Sequence, residues 1–395
     1  MSRIDELIQE RCPQGVERRP LGGLGVRNKG TAMTASKMKV IDGGGPIRVF
    51  AGGNTVADVA EDAIPAKDVI QVPSIIVKSR GHIGFSYYEK PFTHKTELWS
   101  YSIDEQDIDQ KFVYYYLLTQ VGKLQALARA TSVKLPQLSV KDTDNLPIPI
   151  PPLEVQREIV RILDQFTELE AELEAELEAR RAQYEHYAGE LLTIDDGVRR
   201  VRFGDVATIV RGASPRPIQK FITDEPDGVP WIKIGDVPAG GKYITSTAQR
   251  VTLAGAAKSR LVMPGDFVLS NSMSFGRPYV SQIEGCIHDG WLAISAFEES
   301  FERDYLYYLL RSAPIQDEFA RKAGAGTVKN LNADIVRSVV VPVPPRDEQK
   351  QVVALLDRFD ALVNDISIGL PAELAARRRQ YEHYRDKLLT FKEIA

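Results

Sequence analysis

Two segments of the chain carry the spacing of long amphipathic helices. In residues 153–193 apolar side chains recur at three- and four-residue steps, with no proline and a single glycine, Gly189. Leu, Glu, Ala and Arg dominate this segment, and all four are strong helix formers. The pattern predicts one helix of about 41 residues, roughly 60 Å long at 1.5 Å per residue. A helix of that length needs a partner helix to cover its apolar stripe.

The predicted partner is residues 346–390, which repeat the apolar stripe. Gly369-Leu370-Pro371 interrupts it, and we expect a kink or a break there because proline removes a backbone hydrogen bond. If globular parts sit at opposite ends, the two helices pair antiparallel. The side chains assigned to these helices are Phe166, Leu169, Leu173, Leu177, Tyr184, Tyr187, Phe359, Leu362, Tyr381 and Tyr384.

The chain also repeats itself. Residues 180–187, RRAQYEHY, return at 377–384 as RRRQYEHY, and both copies run on to Leu-Leu-Thr. Residues 149–152, PIPP, return at 342–345 as PVPP. Further matches pair Gly15-Val16 with Gly197-Val198, Tyr115–Leu118 with Tyr307–Leu310, Gln156 with Gln349, and Asp164 with Asp357. A repeat on this scale fixes the architecture as globular segment, helix, globular segment, helix.

The two globular segments, roughly 15–148 and 197–341, share framework positions and differ between them. This predicts two related modules that recognise two different targets. A duplicated structural protein whose halves have drifted apart is the alternative. Gly22-Gly23-Leu24-Gly25 looks like a fragment of a cofactor loop, but it aligns with Phe203-Gly204-Asp205-Val206, which makes it a framework turn.

The charge of the chain is unevenly distributed. The 395 residues carry a formal net charge of −4. Residues 168–179, ELEAELEAELEA, contribute six glutamates and no cation, and without them the net charge would be +2. The global charge therefore neither supports nor excludes a nucleic-acid partner. Each four-residue unit adds about 6 Å of helix, nearly two base-pair steps of roughly 3.4 Å, so the tract is a candidate spacer as well as a solvated acidic surface.

Several classes of function lack their sequence signatures. The two cysteines, Cys12 and Cys286, lie far apart and the five histidines do not cluster with them, which argues against a zinc site or a disulfide scaffold. The Asn/Asp-Pro-Pro-aromatic loop of an amino-methyltransferase and the phosphate loop of a helicase are missing, as are H-E-x-x-H and G-x-S-x-G. No apolar run is long enough for a membrane span, and the N-terminus lacks a signal-peptide core, so we expect a cytoplasmic protein without an active site.

Polar loops follow buried strands in both halves. Base recognition needs Arg, Lys, Asn, Gln, Ser or Thr on loops or strand ends that face a groove. The first half offers Lys78, Ser79, Arg80, His82, His94, Lys95 and Lys134. The second half offers Arg211, Ser214, Arg216, Lys233, Asn271, Ser272, Ser274, Arg277 and Lys329. One surface Arg or Lys is usually only a solvated charge, so the prediction depends on corresponding loops in the two halves.

These repeated anchors resemble the specificity subunit of type I restriction–modification systems over essentially the whole chain. The resemblance implies an α+β fold with two pseudo-symmetric target recognition domains, joined by two long helices that pair as an antiparallel coiled coil. Each domain would recognise half of a bipartite DNA site, and the helices would set the unread gap. The implied bounds are 1–14 for an N-terminal helix, 15–148 and 197–341 for the domains, and 149–196 and 342–395 for the spacer helices.

The resemblance also implies partners. Two modification subunits would carry S-adenosylmethionine and methylate adenine, and restriction subunits would use ATP and Mg²⁺, so that no cofactor belongs to this chain. Residues 2–11 should pack near the C-terminal helix. The alternatives are the DNA-recognition subunit of a type IIB-like system and a coiled-coil scaffold that binds no DNA. A free-standing methyltransferase conflicts with the missing catalytic loop.

Overall fold

The helices and strands are those of a computed structural model that describes residues 3–130, 135–192, 197–237, 241–272, 274–324, 330–364 and 369–394. The α-helices are α1 (Arg3–Arg11), α2 (Ala35–Ile41), α3 (Gln110–Ala130), α4 (Val140–Asp144), α5 (Leu153–Leu192), α6 (Leu253–Ala256), α7 (Arg303–Arg311), α8 (Ala313–Ala323), α9 (Ala333–Ser338), α10 (Arg346–Asn364) and α11 (Leu370–Leu388). Within these ranges, no helix is both long and apolar enough to cross a membrane.

In both halves most strands come in runs that the α-helices precede or follow, as is typical of an α+β fold. In the first half they are β1 (Glu17–Pro20), β2 (Val26–Lys29), β3 (Ile47–Phe50), β4 (Val56–Val59), β5 (Ser74–Lys78), β6 (Gly84–Tyr88), β7 (Phe92–His94), β8 (Trp99–Ser102) and β9 (Pro147–Ile150). In the second half they are β10 (Arg200–Arg202), β11 (Thr208–Arg211), β12 (Ile222–Thr223), β13 (Val229–Ile232), β14 (Tyr243–Ile244), β15 (Arg250–Val251), β16 (Arg260–Val262), β17 (Phe267–Ser270), β18 (Pro278–Ser281), β19 (Gly285–Ile287), β20 (Trp291–Ser295) and β21 (Val340–Pro342).

The chain divides into two units. The first comprises Met1–Glu172 with Ala375–Ala395, and the second comprises Leu173–Leu374. Each unit therefore combines one predicted globular segment with part of α5 and part of the C-terminal helical segment.

In the first unit, β2-β8-β5-β6 form one sheet and β4-β3-β7 form another. The apolar run Ile75–Val77 occupies the inner strand β5 and is fully buried, as expected for a strand covered on both faces. Helix α3 packs against β5 and β6. This unit also contains the predicted contact of the N-terminal helix, because Lys387 of α11 pairs with Asp5 of α1 at 3.1 Å.

In the second unit, two five-stranded sheets have the orders β11-β20-β17-β18-β14 and β12-β15-β13-β19-β16. Phe267–Ser270 form the central strand β17 and are all buried. Trp291 is also fully buried, and its indole Nε1 donates a hydrogen bond to the Ile232 carbonyl at 3.2 Å. The strand that carries the predicted Asn271 loop thus lies in the middle of a packed sheet.

A short ladder closes each globular segment. In the first unit β1 pairs antiparallel with β9, and in the second β10 pairs antiparallel with β21. Each ladder leads into a tight turn that contains Gly22 or Gly204. A Cβ at Gly22 would lie 2.9 Å from the side chain of Asp144, and one at Gly204 would lie 2.9 Å from that of Arg337. These close approaches confirm that both glycines belong to a framework turn.

One buried glutamine ties the start of α5 to the first globular segment. The Gln156 amide oxygen accepts the backbone N–H of Asp109 at 2.8 Å, and its Nε2 donates to the carbonyls of Asp107 at 2.9 Å and Pro151 at 2.7 Å. The side chain is fully buried. We call Gln156 with these three partners the first glutamine bridge. It satisfies three backbone groups that otherwise have to remain unpaired where loop meets helix.

The second unit contains the same arrangement at the start of α10. The Gln349 amide oxygen accepts the N–H of Glu302 at 2.7 Å, and its Nε2 donates to the carbonyls of Ser300 and Pro344, both at 2.9 Å. Gln349 is also fully buried. This second glutamine bridge repeats the first bond for bond, so the duplicated anchors of the sequence hold equivalent positions.

A tyrosine and an aspartate connect the same elements further along. The Tyr115 hydroxyl donates to Asp164 at 2.5 Å, and the Tyr308 hydroxyl donates to Asp357 at the same distance. Burial comes first among the causes that raise the pKa of both phenols, and the hydrogen bond to the carboxylate adds to it. Tyr115 is therefore the counterpart of Tyr308. The predicted match of Tyr115 with Tyr307 was wrong by one residue.

The long helices pair antiparallel in each unit. In the first, Phe166 of α5 stacks on Tyr384 of α11 with ring centroids 5.6 Å apart, and Glu170 pairs with Arg378 at 2.7 Å. The later residue on α5, Glu170, therefore meets the earlier residue on α11, Arg378. Phe166 also contacts Tyr381. This direction confirms the predicted pairing.

In the second unit, Leu177 of α5 is buried against Val363 and Leu374, with Leu173 and Tyr184 packed beside them. Further along α5, the Tyr187 ring lies 6.3 Å from that of Phe359 on α10. The pairing is again antiparallel, because the later residue on α5 meets the earlier one on the partner segment.

Leu169 and Leu362 do not fit the predicted stripe. Their exposed fractions are 49% and 40%. A four-residue repeat advances about 400° around a helix, so successive leucines of the ELEA tract rotate away from a fixed contact line.

The predicted interruption of the C-terminal helical segment is confirmed, since α10 ends at Asn364 and α11 begins at Leu370. Gly369 between them has φ +83°, a conformation that favours glycine.

The glutamine bridges predict a measurable loss of stability. Replacing Gln349 with Ala would leave three backbone groups without their partner. We expect the free energy of unfolding of the second unit to fall by about 2–4 kcal/mol in urea denaturation. Gln351→Ala, an exposed position on the same helix, is the control and should change it by less than about 0.5 kcal/mol. Equal unfolding midpoints for the two variants would contradict this role.

Candidate nucleic-acid interface

The loop between β5 and β6 presents two of the predicted side chains to solvent. Lys78 and Gly84 are the last paired residues of the hairpin, and the loop turns through Gly81 at φ +78°. Arg80 and His82 are exposed on either side of this glycine. The loop is thus a tight hairpin turn with a cationic side chain at its tip.

Gln125 of α3 forms two hydrogen bonds with the backbone of this loop. Its amide oxygen accepts the backbone N–H of Ile83 at 2.8 Å, and its Nε2 donates to the Gly81 carbonyl at 3.2 Å. The loop backbone is also bonded to residues 136–138. A loop fixed on both sides loses less conformational entropy when it binds a partner. Gln125 could not be predicted from the sequence, because a single glutamine in a helix gives no pattern.

Lys78 and Ser79 are engaged within the protein. The Lys78 ammonium donates to the Asn54 amide oxygen at 3.1 Å. Ser79 is 2% exposed, and its hydroxyl donates to the Glu97 carbonyl at 2.7 Å. Ser79 therefore positions the loop and does not face a groove.

His94 is also an internal residue. It is fully buried, with Nδ1 3.2 Å from the Lys95 carbonyl and Nε2 3.2 Å from the Ser100 hydroxyl. Burial lowers the pKa of the imidazole below its usual value, so the ring is neutral at neutral pH. Lys95 pairs with Glu97 at 2.8 Å. Like Ser79, His94 therefore faces the protein interior and not a groove.

Four of the predicted residues in the second unit meet at one turn, which contains Asp289. The Ser214 hydroxyl donates to the Asp289 carboxylate at 2.8 Å, and the Arg216 guanidinium lies 3.3 Å from its other oxygen. The Asp289 carbonyl accepts Arg211 Nε and Asn271 Nδ2, each at 3.0 Å. We call these five residues the Asp289 cluster. No sequence pattern singled out Asp289 itself, the residue that joins the other four.

Within the Asp289 cluster, Asn271 serves a different purpose from the arginines. It is 5% exposed, its N–H donates to the Gly290 carbonyl at 3.2 Å, and its own carbonyl accepts Leu331 N–H at 2.8 Å. It therefore connects the end of β17 to the turn. Arg211 and Arg216 are exposed on the outer side of this connection.

The remaining candidates lie on neighbouring loops. Ser272 and Ser274 are exposed, and the Arg277 guanidinium lies 5.4 Å from the centre of the Tyr279 ring. Lys233 donates to Gln249 at 2.8 Å. Lys134 and Lys329, the predicted phosphate contacts, lie outside the described residues. In the described part of the chain, no group of three or more His, Cys, Asp or Glu side chains is placed to hold a metal ion.

The fold and these loops define a class of protein. It is a duplicated α+β protein in which two similar frames, each fixed by a glutamine bridge, carry polar loops of different composition. Comparison with known proteins gives the family.

The family model described as type I restriction modification DNA specificity domain matches residues 13–179 and again residues 196–376. A protein inferred to be a type I restriction enzyme specificity subunit of Haemophilus influenzae is 32% identical over 299 residues, 73% of this chain and 74% of the relative. The EcoR124I/EcoR124II specificity subunit of Escherichia coli is 31% identical over 303 residues, 73% of each chain. The chain belongs to the family of type I restriction enzyme specificity subunits.

Solved structures support the same fold. One chain, from work on complex assembly and conformational transition of the type I R-M system, superposes with a TM-score of 0.67 at 17% identity, covering 96% of this chain and 98% of that one. The S subunit of a type I restriction–modification system from M. genitalium gives a TM-score of 0.52 at 18% identity, covering 94% and 96%.

The support under the first-unit loop can be tested by hydrogen exchange. In Gln125→Ala the Ile83 amide loses its acceptor, so we expect exchange of the peptide that contains residues 79–85 to quicken about 5- to 10-fold. Gln120→Ala on the same helix is the control, because the Gln120 side chain bonds only to Thr119 among the described contacts. Unchanged exchange in Gln125→Ala would show that the loop keeps its shape without this amide.

Proposed function

We propose that this chain is the DNA-recognition subunit of a type I restriction–modification complex, with one half-site of a bipartite, gapped sequence recognised by each globular domain. The domain bounds that we propose are 15–148 and 197–341, with spacer helices at 149–196 and 342–395 and an N-terminal helix at 1–14. The observation that carries this proposal is the duplicated frame with divergent loops.

The two units share the contacts of the frame but differ in the residues of their loops. The glutamine bridges and the Tyr–Asp bonds match one for one. The sheet orders β2-β8-β5-β6 and β11-β20-β17-β18 make the β5–β6 loop equivalent to the β17–β18 loop. These equivalent loops do not match, because the first exposes Arg80 and His82 and the second exposes Ser272 and Ser274. A protein that needs only two similar scaffolding units has no reason to vary its loops while keeping its frame. Two different DNA sequences supply such a reason.

The helices supply a surface for partner subunits. Leu355 and Leu362 lie seven residues apart on α10, hence on one face, and each is 40% exposed. Tyr187 on α5 is 40% exposed beside Phe359. An exposed apolar line of this kind fits a partner helix. We assign it to a modification subunit, two of which would bind one copy of this chain.

Chemistry is assigned to the partners and not to this chain. Modification subunits would bind S-adenosylmethionine and methylate DNA, and restriction subunits would use ATP and Mg²⁺. The absence of methyltransferase and phosphate loops from the sequence supports this division. The chain would then act as the non-catalytic, sequence-recognising part of the complex.

Binding to a randomised duplex library tests the proposal. The chain, assembled with its modification subunit, should select two blocks of preferred bases separated by a constant gap. Arg80→Ala with His82→Ala should relax only one block. No selected block from an assembled complex would favour instead a scaffold that binds no specific DNA, and a single block would contradict the assignment of one half-site to each domain. A type IIB-like system would give the same two blocks with cleavage on both sides of the site.

The spacer role predicts a change in gap length. Deleting Glu172–Ala175, one ELEA unit, shortens α5 by about 6 Å, nearly two base-pair steps. The same library should then yield both half-sites unchanged, with a gap different by one or two base pairs. Replacing Glu172, Leu173 and Glu174 with Ala, which keeps the length of the helix, is the matched control and should keep the original gap. A deletion variant that selects the original gap would overturn the spacer role.

A further inference from the structure

Arg216 and Asp289 form an ion pair on the outer side of the second unit. The pair joins an Arg216 terminal nitrogen to an Asp289 carboxylate oxygen at 3.3 Å, while 81% of the Arg216 side chain remains exposed. The carboxylate thus contacts one edge of the guanidinium and leaves most of the fork in solvent. Whether Asp289 can orient the Arg216 guanidinium depends on how firmly its own carboxylate is held.

The carboxylate is held from several sides. Its other oxygen accepts the Ser214 hydroxyl at 2.8 Å, and the backbone of Asp289 is bonded to Arg211 and Asn271. The next residue, Gly290, donates its N–H to His288 Nδ1 at 2.9 Å. The Ser214 hydrogen bond is the largest of the causes that lower the pKa of Asp289 below its usual value, against the effect of burial. A hydrogen bond from the backbone of Asp289 and the charges of Arg216 and Arg211 add to it. The group is therefore an anion at neutral pH and fixed in direction.

An arginine fixed by a carboxylate suits a base edge better than a phosphate. The charge of the pair is zero, so it adds little to the counterion release that drives phosphate binding. A phosphate near Arg216 would also be repelled by Asp289. The directional N–H donors remain, and the two acceptors of guanine, O6 and N7, are what an arginine fork most often contacts in the major groove.

Resting on the proposed function, we propose that Arg216 recognises a guanine in the half-site of the second domain and that Asp289 is its positioning residue. The other members of the Asp289 cluster have different tasks. Asn271 is buried, so it supports the turn. The Arg211 Nε is bonded to a neutral carbonyl, so its charge remains available to a phosphate.

The test compares variants of the assembled complex in the randomised duplex library at several salt concentrations. Arg216→Ala should reduce the preference for guanine at one position of one block by about 5- to 150-fold. The other block should stay as in the wild type. The salt dependence of binding should stay as in the wild type in the double variant Arg216→Ala with Asp289→Asn, because that variant removes both charges and leaves the pair neutral. Arg216→Lys should lose most of the preference too, because an ammonium lacks the fork. Arg321→Ala is the control and should change nothing, because this arginine is also exposed (69%) and paired with a carboxylate, Glu318, at 2.7 Å.

Asp289→Asn separates positioning from contact. It should weaken the preference at the same position by less than Arg216→Ala does, and the double variant should match Arg216→Ala. Two results would overturn the inference. One is a double variant, Arg216→Ala with Asp289→Asn, that binds all sequences more weakly, with a salt slope reduced by about 1, as for a phosphate contact. The other is an Arg216→Ala complex whose preference for guanine is the same as that of the wild type. Failure of the wild type to select two blocks would instead overturn the proposed function.

Discussion

The structure depends on two buried glutamine amides that join helix to globular segment. Where a loop runs into a long helix, backbone groups are left that neither strand nor helix can pair, and burying them unpaired costs about 1–3 kcal/mol each. Gln156 and Gln349 each satisfy three such groups at one point. Because one side chain serves all three, the helix can leave its globular segment in only one way. The loops beyond this joint can then vary without disturbing it.

Much of the frame could be predicted from the sequence. Helix periodicity identified α5, and the Gly-Leu-Pro break marked the end of α10 because glycine and proline act locally on the backbone. The repeated sequence also identified Gln156 and Gln349 as equivalent residues at the starts of α5 and α10. The tyrosines were misaligned by one residue because each copy carries consecutive tyrosines, and only the aspartate partner fixes which one corresponds. Leu169 was assigned to the helix contacts, yet it is exposed, because the four-residue repeat turns its leucines around the helix and only some of them reach the partner.

The candidate site was less predictable. Strand patterns correctly located the loops after β5 and β17, since a buried strand must end where polar residues begin. Which polar side chains face solvent depends on tertiary packing, and Ser79 and His94 turned inward to bond backbone groups. Gln125 and Asp289 organise the two loops, yet each is a lone polar residue with distant partners. Such residues become visible only when the fold brings their partners together.

The most direct measurement is methylome sequencing of cells that express this chain with its modification subunit. Two related frames with different loops predict a gapped, bipartite DNA-methylation motif that disappears when this chain is omitted. Its two halves should differ in sequence, as the loops do. An active modification subunit that methylates the same motif without this chain, or no motif with it, would contradict the central claim and favour a scaffold with no role in DNA recognition.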